Sequence, residues 1–349
     1  MIISRTPFRV SLFGGGTDYP DWIREHGGAV LGMAINKYCY ITARHLPPFF
    51  GHKHRIIYSV IEAVQQIAEI KHPAVRAVFS EMGVTQGLEI HHNGDLPARS
   101  GLGSSSSFTV GLLNTLYALQ GRLRTKAALA AEATRIEQEV IGESVGCQDQ
   151  LWAAYGGLNR IDFTRDRGIS VKPVILSAAR RRELVGSLLL VFSGLSRFSS
   201  EVAQQKISNI SRNERQLLAL LRMVDDAMEV MVDEGEPIYR IGELLHESWM
   251  LKRGLATSVT NDRVDEIYQA AMAAGATGGK LLGAGGGGFL AFVMRPERRA
   301  TVSNALRGLI QVSVDLDHDG SRIMVYEPYD VDEPDDYEPF GTTSFPENR

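Results

Sequence analysis

The chain has 349 residues, 44% of them hydrophobic, with 37 Lys and Arg against 41 Asp and Glu and a formal net charge of -4. That length builds two hydrophobic cores more naturally than one, and the near balance of charge excludes a basic nucleic-acid footprint. No apolar run approaches the roughly 20 residues of a membrane-spanning helix, "MIISRTPFRV" is not a signal-peptide start, and Cys39 and Cys147 stand in unrelated contexts that give no disulfide framework or CxxC metal site. The expected setting is a reducing cytosol.

In chain order, "FRVSLF" (Phe8–Phe13) reads as a strand running into the glycine cluster Gly14–Gly16. Ala29–His45 is one long strand or a hairpin, with Tyr38, Tyr40 and Thr42 on one face. In Ser59–Ile70, Val60, Val64, Ile67 and Ala68 fall at helical spacing, which predicts a helix stopped by His72-Pro73. "LEIHH" (Leu88–His92) is a strand. The serines after Gly103 open a helix through Phe108, Leu112, Leu116 and Leu119, and a second helix covers Lys126–Ile141. "GGLNRIDF" and "ISVKPVIL" read as paired strands. After about residue 180 the pattern restarts. "ELVGSLLLVFSG" is a buried strand, and Ser199–Val232 is mostly helical, with Leu217, Leu218, Leu221 and Val224 on a stripe. A helix near Val264–Ala274 is stopped by Gly275. A strand at Gly288–Met294, a helix from Pro296, the strand "RIMVYE" and an acidic, irregular tail from about residue 327 complete the chain. The predicted class is α+β, in two domains, 1–180 and 181–349.

Three stretches carry chemistry. "LPARSGLGSSSSF" (Leu96–Phe108) places Gly101 and Gly103 just before a helix. That arrangement brings backbone N–H groups and the positive helix end to a phosphate. Serine hydroxyls there add donors and suit a magnesium ion shared with the phosphates. No Gly-Lys-Ser/Thr follows, so it is not the common P-loop. "RIEQEVIGESVGCQDQ" (Arg135–Gln150) sets Asp149 twelve residues after Glu137, beyond two glycines. One acid near a metal and one near a hydroxyl nucleophile are what phosphoryl transfer needs. "GGKLLGAGGGGFLAF" (Gly278–Phe292) is dense in glycine, which suits close packing on a bulky anion. The plain alternatives are a flexible serine-capped loop, a solvated helix face with a loop-capping aspartate, and a tight interface turn. Elsewhere the blander readings lead. His91-His92 point to opposite faces of a strand and make a poor chelate, and Cys147 is packing. Tyr19 and Trp22 are either sugar-pocket lining or core.

Taken in this order, the stretches resemble the sugar kinases of the GHMP superfamily, with "RTPFRVSLFGGGTDYP" (Arg5–Pro20) as a further, sugar-contacting motif. The resemblance implies a ribosomal protein S5 domain 2-like N-terminal domain, a ferredoxin-like C-terminal domain, and ATP and Mg²⁺ in the cleft between them. Carried over, Gly101, Leu102, Gly103, Ser104, Ser105, Ser106 and Ser107 form the ATP phosphate loop. Ser105 and Glu137 are the implied metal ligands, Asp149 is the base with Arg9 beside it, and Gly15, Gly16, Thr17, Asp18, Gly285 and Gly286 meet the substrate. Where galactokinases read Gly-Glu-His-Thr-Asp-Tyr, this chain has Gly14-Gly15-Gly16-Thr17-Asp18-Tyr19, so two polar sugar contacts are missing. The nearest pattern is that of the D-glycero-D-manno-heptose 7-phosphate kinases, which act at the anomeric hydroxyl on the route to capsule or lipopolysaccharide heptose. Arg197 in "SGLSR" is the first choice for the substrate phosphate, ahead of Lys206, Lys37, Arg44 and Lys280. The implied partners are a sugar phosphate and ATP, with no nucleic acid, no membrane, and a homodimer left open. The rivals are a kinase of an unphosphorylated sugar such as fucose or galactose, and a non-catalytic sugar and ATP sensor.

Overall fold

The computed structural model describes residues 1–195 and 211–328. Arg197, Lys206 and the tail beyond residue 328 lie outside the described residues. The first half runs β1 (Ile2–Phe13), α1 (Pro20–His26), β2 (Gly28–His45), β3 (His54–Ile57), β4 (Ile61–Val64), α2 (Pro73–Glu81), β5 (Leu88–Gly94), α3 (Ser104–Leu119), α4 (Lys126–Arg135), α5 (Gln148–Tyr155), β6 (Leu158–Phe163) and β7 (Ile169–Pro173). The second half runs α6 (Ala178–Ser187), β8 (Leu188–Phe192), α7 (Glu214–Val232), α8 (Arg240–Arg253), α9 (Asp262–Ala273), β9 (Ala276–Leu281), β10 (Phe289–Met294), α10 (Arg299–Ala305), β11 (Gln311–Val312) and β12 (Arg322–Tyr326).

Two sheets result, giving the expected α+β class. The larger has the order β12-β1-β2-β5-β3-β4, with β6 and β7 added alongside β2. β2 is a single strand long enough to pair twice on the side away from β1. Gly28–Met33 meets β6, and Cys39–His45 meets β5. The smaller sheet has the order β11-β8-β10-β9, all antiparallel. Its chain-order sequence is 4-1-3-2, the ferredoxin-like arrangement. Its central strands β8 and β10 are continuously apolar because both faces are covered. Along β8, Leu188 and Leu190 enter the main core while Leu189 and Val191 enter a second core with Trp249 and Phe292. The period of two puts alternate residues on opposite sides.

Four expectations need correction. Ser59–Ile70 is not a helix. Ile61–Val64 pairs with β3 as an edge strand, followed by one short 3₁₀ turn at Ile67–Glu69. Val60 and Ile61 are more than half exposed, so no apolar helix face existed to bury. What is buried there is Glu62, whose carboxylate takes the Tyr58 hydroxyl and the His72 amide. Second, "ELVGSLLLVFSG" begins as helix α6, and strand β8 starts only at Leu188. Third, the buried stripe of α7 is Leu217, Leu220, Val224, Ala227 and Met231, rotated from the expected one, with Leu218 and Leu221 only partly buried. Fourth, a cut at residue 180 assigns β12 to the wrong half. Arg322–Tyr326 pairs antiparallel with Ile2–Arg5, so the chain returns to the first sheet.

Candidate active site

The site is built where two glycine turns from the two halves meet. The loop before α3 has left-handed backbone at Gly101 (φ 81°) and Gly103 (φ 75°). A Cβ on Gly101 would lie 2.7 Å from the Leu282 carbonyl oxygen, and one on Gly283 would lie 2.6 Å from Gly101 Cα. No side chain fits between these backbones, and the Phe289 amide closes the contact on Ser100 O at 2.9 Å. The N-terminus of α3 carries no side-chain cap. Its first-turn N–H groups, which have no intrahelical partner, are thus left for an anion to meet.

Arg9, from β1, crosses this cleft. Its Nε donates to Asp149 Oδ1 at 2.8 Å and its Nη2 to Asp149 Oδ2 at 2.6 Å. Its Nη1 donates to Gly101 O at 2.6 Å, and its amide donates to Leu102 O at 3.0 Å. A buried guanidinium thus ties Asp149, in the first turn of α5, to the phosphate loop. The bidentate fork fixes the carboxylate plane as a single ammonium could not.

Glu137 lies behind the loop, where the helix after α4 widens into a π-helical turn over Ile136–Val140. Such one-residue insertions re-aim a side chain and recur at functional sites. The carboxylate is 1% exposed. Ser106 Oγ donates to Oε2 at 2.8 Å, and Gln150 Nε2 donates to the same oxygen. Among the described residues Oε1 has no partner. Burial, partly offset by these hydroxyl and amide donors and Thr109, raises the carboxyl from 4.5 to about 7. A buried acid with one vacant oxygen fits a cation.

Asp18 lines the same cleft. It is buried, takes the Gly16 amide on Oδ1 at 3.0 Å and Gln148 Nε2 on Oδ2 at 2.8 Å. Burial is the main cause of its raised pKa, with Asp149 next, and the two donors work against both.

The structure brings Arg9, Asp149, Gly15, Gly16, Asp18, Gly101, Gly103, Ser104, Ser105, Ser106 and Gly285 onto one cleft. Several expected residues stand elsewhere. Thr17 is fully buried, and its hydroxyl bonds Gly14 O and Ala29 O, which braces the turn. Ser107 Oγ donates to Pro7 O, and Leu102 is core. Gly286 faces away, its amide on Val259 O. Ser106, rather than Ser105, touches Glu137, because Ser105 is on the exposed side of the first helical turn. Trp22 is core and stacks on His26. Arg44 pairs with Glu89 on the larger sheet. Sequence reasoning missed Lys252, which lines the cleft with Lys280. Its ammonium donates to Leu281 O and Gly283 O at 2.7 Å each. It also missed Gln148 and Gln150. Burial raises the Cys147 thiol to about 12, which leaves it no nucleophile at neutral pH.

A helix end suited to phosphate, a buried acid fit for a cation, and an arginine-held carboxylate in one cleft together fit a phosphoryl-transfer enzyme. Residues 63–157 match the GHMP kinases N terminal domain, and residues 236–309 match the GHMP kinases C terminal domain. The chain carries both domains of the GHMP kinases and is a kinase of that family. It is 27% identical over 320 residues to D-glycero-alpha-D-manno-heptose 7-phosphate kinase of Campylobacter jejuni, covering 88% of this chain and 93% of that one. It is also 27% identical to galactokinase of Pyrococcus furiosus, covering 87% and 92%. A solved D-glycero-D-manno-heptose 1-phosphate kinase from Bacteroides thetaiotaomicron shares the fold with a TM-score of 0.69 at 24% identity, covering 94% of this chain and 100% of that one.

Proposed function

We propose that this kinase transfers the γ-phosphoryl group of ATP to the anomeric hydroxyl of D-glycero-D-manno-heptose 7-phosphate, giving the 1,7-bisphosphate for nucleotide-activated heptose. The observation that carries the chemistry is the Arg9–Asp149 fork beside the α3 N-terminus. Asp149 takes the hydroxyl proton as the sugar oxygen attacks the γ-phosphorus, and ADP leaves along the loop from Gly101 to Ser106. Arg9 keeps the carboxylate aimed and sets positive charge beside the transferring group. The first-turn amides of α3 hold the nucleotide phosphates. Glu137 and a serine hydroxyl, Ser105 or Ser106, would hold Mg²⁺, whose chemistry is to neutralise charge on the phosphates. Among the described residues no three His, Cys, Asp or Glu side chains gather for a metal, so the remaining oxygens would come from phosphates and water.

The choice of sugar rests on two supports. Gly15 and Gly16 carry no side chain where galactokinases carry Glu and His, and the heptose 7-phosphate kinase relative spans 88% of this chain. Arg197 is proposed to read the 7-phosphate. The test is Mg·ATP-dependent turnover of mannoheptose 7-phosphate, unphosphorylated mannoheptose, mannose 6-phosphate, galactose and fucose, with the product read by phosphorus NMR. The expected result is a strong preference for the heptose phosphate with new phosphate on the anomeric carbon. Preference for an unphosphorylated sugar refutes the substrate assignment, and no turnover of any refutes the kinase reading.

A further inference from the structure

Asp18 is held by one short run, Gly146-Cys147-Gln148, that ends at the proposed base Asp149. Gly146 is the residue that makes room, because a Cβ there would lie 1.8 Å from Asp18 Oδ2. The Cys147 amide donates to Asp18 O at 3.1 Å. Gln148 Nε2 donates to Asp18 Oδ2 at 2.8 Å, and its Oε1 accepts from Ser11 Oγ at 2.7 Å. The Gln148 amide thus turns its nitrogen to Asp18 and its oxygen to the serine. Arg9 and Ser11 alternate along β1 and so share a face. They make two successive rungs to α5, Arg9 to Asp149 and Ser11 to Gln148. The acceptor-pocket carboxylate and the base are thereby fixed to the same strand by adjacent residues.

We infer that Gln148 is the positioning residue that sets the Asp18 carboxylate for the acceptor's hydroxyls and keeps it in register with Asp149. The chemistry it serves is recognition of a polyol that carries a hydroxyl neighbouring the reacting one. The inference rests on the sugar pocket proposed above. With Gly15 and Gly16 offering no side chains, the Gln148 amide is the side-chain donor that orients Asp18. A misaimed Asp18 weakens acceptor binding but leaves the phosphate loop untouched.

The test is Gln148→Leu, similar in size but without the amide, alone and combined with Asp18→Asn. The single substitution is expected to raise the acceptor KM tenfold or more, to lower kcat less than that, and to keep ATP affinity within twofold. In the Asp18→Asn background it should add less than twofold, since its effect passes through Asp18. Calorimetric acceptor binding serves for variants too slow to assay. An unchanged acceptor KM, or losses that multiply in the double variant, overturns the inference. If Gln148→Leu does not fold, Gln148→Glu keeps the shape and removes the donor, and a wild-type acceptor KM in that variant overturns it equally. Wild-type enzyme that turns over none of the sugars refutes the pocket reading instead. A wild type active on heptose phosphate, with Gln148→Leu unaffected, refutes only the role of Gln148.

Discussion

Arg9→Lys keeps the charge at the heart of the site and removes its geometry. Arg9 uses three nitrogens on three acceptor atoms, at 2.8, 2.6 and 2.6 Å. A shorter, single ammonium cannot match the flat fork that spans both carboxylate oxygens and Gly101 O, and with two charge-assisted bonds lost the cost is about 1.5–3 kcal/mol each. The Asp149 side chain is 25% exposed, so water replaces part of the loss. A net cost of about 3 kcal/mol remains by that reckoning. Expressed in the transition state, where Asp149 must be aimed at the acceptor proton, this is about 10²-fold in kcat. Because Gly101 O also loses its donor, the KM for ATP should rise a few-fold. Steady-state kinetics against both substrates, with a thermal unfolding curve to confirm folding, measure this. A folded Arg9→Lys enzyme with kcat within threefold of wild type would refute the reasoning that the fork, and not charge alone, prepares the base.

Glu137→Gln should raise the Mg²⁺ concentration needed for half-maximal activity at least tenfold. It should also flatten the pH dependence of stability. A folded-state pKa raised from 4.5 to about 7 means stability is retained at low pH and lost as pH climbs through that window, so the metal-free wild type should melt lower at pH 8 than at pH 5. Thermal melts in a chelator check it, and an unchanged slope in the variant counts against the buried acid as its source. Gly101→Ala forces a Cβ to 2.7 Å from Leu282 O at a φ of 81° and should raise the ATP KM tenfold or more, read by nucleotide titration. Ser106→Ala strips a donor from Glu137, whereas Ser105→Ala leaves that contact whole. Manganese binding followed by spin resonance should therefore weaken more in the first.

Much of the site was legible because its parts are local. A glycine turn into a serine-rich helix start is written in a dozen consecutive residues, and the structure puts the α3 N-terminus where that stretch said. The central strand β10 of the smaller sheet was equally plain from its unbroken apolar run. What failed was non-local or coincidental. Val60, Val64, Ile67 and Ala68 matched a helical period by chance, while the segment pairs with β3 across a tight turn. β12 joins β1 from more than 300 residues away, which no local pattern encodes. Gln148 reaches Asp18 across 130 positions, and Ser106 rather than Ser105 faces Glu137 because Ser105 lies on the exposed side of the first turn of α3. Only Gly146, beside an acidic motif, offered a hint, since a glycine there signals that another group comes close.

The measurement that bears most directly on the account is Asp149→Asn, assayed for turnover and for nucleotide binding in the same preparation. Removal of the carboxylate spares the loop from Gly101 to Ser106, so kcat should fall at least 10³-fold while the ATP dissociation constant stays within threefold. Turnover near wild type would contradict the assignment of Asp149 as the proton acceptor, and with it the arrangement of the cleft described above.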